Sequence, residues 1–100
     1  MTTKLKLAVN DVQIKTDYFV QEFTEHTVIG MMGGLKGTGE VKELTLSVLK
    51  GVVKIVINER PVPVNEFASR IIISTLEGLL KPLKDVTFPI NKIEIYVNRG

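Results

Sequence analysis

His26 is the one side chain of the sequence that ordinarily titrates near neutrality, and Glu22 stands one helical turn before it. A pair of this kind could pass a proton as a general acid and base. The sequence sets no Ser, Cys or Asp constellation beside it, and its other carboxylates are scattered rather than paired. The spacing therefore reads as a solvated helix pair, and no catalytic residue is assigned. Zero cysteines remove disulfides, a CxxC redox couple and a thiolate zinc site. A single histidine leaves no imidazole cluster for a metal, so neither metal nor cofactor is expected.

The run Gly30, Gly33, Gly34, Lys36, Gly37, Thr38, Gly39 contains the residue types of a phosphate loop. Such a loop must lie between a strand and a helix N-terminus, where free N–H groups and the helix dipole face the phosphate. Here the glycines follow a helical pattern and stand at its negative end. The matched place in the second half reads Lys81-Pro82-Leu83-Lys84-Asp85, so a proline does there what the glycines do first. Two different helix breakers at one position specify a C-terminal cap.

Lys6, Lys15, Lys54 and Lys92 could meet phosphates, with Tyr96 stacking on a base. Against this stand a net charge of only +2, a single aromatic in the set, and the carboxylates Glu43 and Glu94. Weak nucleic-acid binding through the four lysines is the alternative reading.

The elements that must position these residues emerge from a repeat. Shifting the sequence by 48 residues lays Leu5–Lys36 on Val53–Lys84 without a gap, with seven identities in 32 pairs. The identities include Asn10/Asn58, Phe19/Phe67, Thr27/Thr75 and Gly30/Gly78, and further pairs such as Leu7/Ile55 and Met31/Leu79 exchange one apolar residue for another. One extra residue then brings Leu44, Leu46 and Val48 onto Ile93, Ile95 and Val97. A single domain built from repeats 5–48 and 53–97 is expected, each of the form ββαβ.

Within each repeat the periodicity changes from two to nearly four. Leu5, Leu7 and Val9 alternate with polar or small residues, and Asn10-Asp11 reads as a two-residue hairpin turn. From Asp17, a helix N-cap, the spacing of Phe19, Phe23, Thr27 and Met31 is helical, and Asn65 caps the second helix. Pro61 and Pro63 confine the fifth strand to a sheet edge, and by the repeat the second strand too. The Lys50-Gly51 turn sets Val48 against Val53, Leu46 against Ile55 and Leu44 against Ile57. These constraints predict an α+β fold with one six-stranded antiparallel sheet in the order 5-4-3-6-1-2. Two helices should cover one face, and Thr27/Gly30 and Thr75/Gly78 should lie where the helices cross closely or frame a small-molecule pocket.

The uncovered face should carry Leu49, Val52, Val56 and Tyr96, more apolar than solvation requires. The function expected from sequence is a non-catalytic binding or assembly module, self-associating or joined to another protein through that face. A homodimer and a cytoplasmic setting are the corresponding expectations. No uninterrupted apolar run exceeds three residues, so a membrane-spanning helix is not expected.

Overall fold

The computed structural model describes residues 4–35 and 39–99. In chain order the elements are β1 (Lys4–Val9), β2 (Val12–Gln13), α1 (Tyr18–Met32), β3 (Glu43–Leu49), β4 (Val52–Ile57), β5 (Arg60–Val62), α2 (Glu66–Leu80) and β6 (Lys92–Asn98). The six strands form one antiparallel sheet in the order β2-β1-β6-β3-β4-β5. This is the order expected from the hairpins and prolines, and it includes the long-range pairing of β3 with β6.

Three tight turns make the local hairpins. Asn10 and Asp11, Lys50 and Gly51, and Asn58 and Glu59 all have positive φ, the pairwise left-handed geometry of a two-residue turn that matches strand twist. They set Val9 opposite Val12, Leu49 opposite Val52 and Ile57 opposite Arg60. β5 pairs only with β4, so Pro61 lies on an edge strand.

Alternation then sorts the strands into two faces. Leu7, Val9, Leu44, Leu46, Val48, Ile55, Ile57, Ile93, Ile95 and Val97 are buried and join Val28 and Met32 of α1 and Ile72, Leu76 and Leu80 of α2 in one cluster. Both helices therefore cover the same face of the sheet. Their caps agree with the sequence: Asp17 accepts from the Val20 N–H at 2.8 Å, and Asn65 accepts from the Ala68 N–H at 2.7 Å. After Met32, the N–H groups of Gly33, Gly34 and Leu35 turn back to the carbonyls of Ile29, Met31 and Met32. The glycine stretch thus begins as a helix C-terminus; Lys36, Gly37 and Thr38 lie outside the described residues. Gly33 itself has φ −61°, so the termination uses ordinary right-handed backbone rather than a left-handed cap.

Two expectations about the helices are corrected. The buried positions of α1 include Thr24, Val28 and Met32, one residue away from the expected spacing of Phe19, Phe23, Thr27 and Met31. Phe19 and Phe23 are exposed, as are Phe67 and Ile71 at the matched places in α2. Both helices carry apolar residues on opposite sides, so a spacing of four fits two stripes, and only packing selects between them. Gly30 and Gly78 also face outward, and a Cβ added at either would meet nothing within 4 Å. No close helix crossing requires them.

The asparagines do more than permit left-handed turns. Asn58 Oδ1 accepts from the N–H groups of Lys42 (2.9 Å) and Glu43 (3.0 Å), while its Nδ2 donates to the Glu40 carbonyl at 2.7 Å. Asn10 Oδ1 accepts from Asn91 (2.8 Å) and Lys92 (3.0 Å), while its Nδ2 donates to the carbonyls of Thr87 and Pro89. Each turn thereby clamps the entry of a neighbouring strand, β3 in one case and β6 in the other. Asn58→Gly keeps the turn but removes the clamp, and should lower unfolding free energy by roughly 1–3 kcal/mol in urea titration. Glu59→Gly removes only the left-handed side-chain penalty at φ +69° and should raise stability, by about 1 kcal/mol.

Thr24 places a buried Oγ1 among apolar neighbours without a hydrogen-bond partner. The residue 48 positions later is Ile72, itself buried. Thr24→Val should therefore stabilise the fold, by about 1 kcal/mol in the same titration, because it deletes an uncompensated hydroxyl while keeping its volume.

Candidate interaction surfaces

On the open sheet face, cross-strand register brings Lys6, Tyr96, Thr45, Val56 and Pro61 into one row. A second row joins Ala8, Glu94, Ser47 and Lys54, and a third sets Lys92 beside Leu49 and Val52. Of the four residues expected to form a patch, Leu49 and Val52 are direct partners at the β3–β4 turn. Val56 is separated from Val52 by Lys54 along β4, and Tyr96 is separated from Val56 by Thr45 across β3. The phenol of Tyr96 donates to Glu43 Oε2 at 3.0 Å and accepts from Asn98 Nδ2 at 3.1 Å. The apolar residues of this face are thus divided by polar ones, because the alternation that places them outward also places Lys54, Thr45 and Ser47 outward.

The lysines are similarly divided. Lys6 and Lys54 lie exposed on β1 and β4, and Lys15 follows β2. Lys92 donates to Asp11 Oδ1 at 2.8 Å and lies 3.7 Å from Glu94. The hydrogen bond and attraction of Asp11, with Glu94 adding, raise the Lys92 pKa above the usual lysine value. Lys92 is therefore charged at neutral pH, and on the alkaline side its pairing is lost as the pH rises through that raised value. An ammonium already answered by two carboxylates offers little to a phosphate.

On α1 the ligating atoms of Glu22, Glu25 and His26 lie within 4.8 Å of one another. Their present partners are structural. Tyr18 donates to Glu22 at 3.3 Å, and Arg99 Nε lies 3.3 Å from Glu25 Oε2. Glu25 is buried, with 5% of its side chain exposed, while Arg99 is half-exposed. Sequence reading missed this pair because Arg99 reaches α1 only through the end of β6. The expected pocket residues Thr27, Gly30, Thr75 and Gly78 do not converge: the threonines are half-buried and the glycines face solvent. A groove of about 720 Å³ lies instead beside Met31, Leu35, Pro63, Phe67 and Ile71, between the end of α1 and the start of α2.

The three most exposed large apolar side chains sit on the helices. Tyr18, Phe19 and Phe67 are 78%, 71% and 70% exposed, Phe88 between α2 and β6 is 58% exposed, and Phe23 and Ile71 are about half exposed. Phe19 and Phe23 stack on each other with centroids 5.8 Å apart. No glutamate or lysine separates them on the helix face, since one turn takes Phe19 directly to Phe23 and Phe67 directly to Ile71. The signal was present in the sequence as apolar residues in excess of one face.

Arg99→Ala should strand the buried Glu25 carboxylate and lower unfolding free energy, by roughly 1–3 kcal/mol in urea titration. Adding Glu25→Ile, the residue type found at the matched position 73, should recover most of that loss.

No helix among the described residues is long and apolar enough to cross a membrane. No protein-family model, no curated protein and no solved structure matches the chain.

Proposed function

We propose that the chain is a non-catalytic assembly module that makes protein contacts through the outward face of its two helices. The observation that carries this reading is the set Tyr18, Phe19, Phe23, Phe67 and Ile71, large apolar side chains left in water by a fold whose core is already filled. A folded chain gains nothing internally from aromatics held there, and covering them would release apolar surface from water. The helical face takes precedence over the open sheet face because, on each helix, its apolar residues follow one another without intervening charge, whereas Lys54 and Thr45 divide Leu49, Val52, Val56 and Tyr96.

The same reading includes an origin by duplication of a ββαβ unit. The two helices, their caps and the two asparagine clamps recur 48 residues apart, which supports that origin. Duplication would also give the helical face its two matching apolar patches.

Site-specific photocrosslinking tests the surface without assuming the partner. Phe23→p-benzoylphenylalanine should yield covalent protein adducts on irradiation of intact cells, resolved by denaturing electrophoresis. Lys54→p-benzoylphenylalanine, on the sheet face, should yield few. Adducts formed from position 54 and absent from position 23 would move the contact surface to the sheet.

A further inference from the structure

We infer that the occupant of the helical face is a second copy of this chain, the two copies packing helical layer against helical layer in a closed pair. This rests on the assembly reading above and narrows it to one partner.

The outward stripe of α1 runs Phe19, Phe23, His26, Gly30, and that of α2 runs Phe67, Ile71, Ser74, Gly78, all eight residues exposed. The steps of four, three and four residues keep each set on one side of its helix. In both helices the stripe is bulky in its first half and small in its second. The face as a whole therefore presents projections and hollows of the same chemistry, so one copy supplies what another lacks. A second copy turned about a two-fold axis can seat phenylalanine rings over bare helix backbone.

The glycines fit this arrangement. Mid-helix glycine costs about 1 kcal/mol relative to alanine. Nothing among the described residues calls for it at positions 30 and 78, where an added Cβ would meet nothing within 4 Å. Close approach from outside uses the space that the chain leaves open.

Area and charge point the same way. At about 200 Å² per large side chain and the partial exposures given above, the five residues, three on α1 and two on α2, together present roughly 600 Å² per copy. That sum is close to the ~800 Å² per partner of a stable interface. Neither stripe contains Asp, Glu, Lys or Arg, so apposing two copies brings no carboxylate or ammonium on one stripe against its like on the other. The Glu66–Arg70 ion pair of 2.8 Å lies beside the α2 stripe, already neutralised.

Sedimentation equilibrium over about 1–200 µM chain reads the association directly. The unmodified chain should be a dimer, and Phe19→Lys/Phe67→Lys should be a monomer with an unchanged circular dichroism spectrum. Gly30→Gln/Gly78→Gln, at positions open within the fold, should raise the dimer dissociation constant at least about tenfold. A chain that is monomeric throughout would overturn the second-copy inference while leaving the crosslinking result to decide the assembly reading. A dimer that withstands both helical variants and dissociates on Val56→Lys would overturn both. A dimer lost in the lysine variant but untouched by the glutamine variant would overturn the close packing over the glycines.

Discussion

The pairing of β3 with β6 is the interaction on which the rest of the structure depends. Every other neighbour relation in the sheet is either a two-residue hairpin or runs through β6. Seven residues pair from Glu43 opposite Asn98 to Leu49 opposite Lys92, with Leu46 opposite Ile95 at the centre. Without this ladder the chain would hold two three-stranded units, β2-β1-β6 and β3-β4-β5, with no shared core. With it, Leu44, Leu46, Ile93, Ile95 and Val97 become the middle of one buried face.

The ends of that ladder are held symmetrically. Lys50 donates its N–H to the Asn91 carbonyl at 3.2 Å, and Arg99 donates to the Lys42 carbonyl at 2.8 Å. Next to them the backbone N–H of Asn10 reaches Lys92 and that of Asn58 reaches Glu43. The turn asparagines therefore couple local hairpin geometry to long-range strand pairing. A turn that lost its asparagine would still reverse the chain, but the entry of β3 or β6 would lose its partners.

The helices respond to this sheet rather than shape it. They lay aliphatic residues, Val28, Met32, Ile72, Leu76 and Leu80, on an aliphatic sheet face and leave the aromatics outside. Glu25 and Thr24 are the polar exceptions on α1, one answered by Arg99 and the other unanswered, where α2 has Ile73 and Ile72. The exposed aromatic surface follows from that division. An outward stripe of Phe19 and Phe23, or of Phe67 and Ile71, is a consequence of which side of each helix the sheet accepts.

Hairpin register, helix caps and edge strands were legible in the sequence, because each is dictated by local chemistry: left-handed turns at Asn10, Lys50 and Asn58, prolines at 61 and 63, side-chain caps at 17 and 65. The joining of β3 to β6, which completes the strand order, is a long-range pairing that no local signal dictates. Alternation within a strand also determined which residues of β3, β4 and β6 would share a face. Which side of α1 and α2 would be buried was decided only in three dimensions. A helix with apolar residues at 19, 23, 28, 31 and 32 offers two apolar faces, and burial goes to the one whose shapes fit the sheet. The sheet-face residues are interspersed with polar ones for a related reason, since outward alternation alone says nothing about which outward residues become neighbours across strands. Tertiary register placed Lys54 and Thr45 between the apolar ones and left the aromatics of the helices as the larger exposed apolar surface.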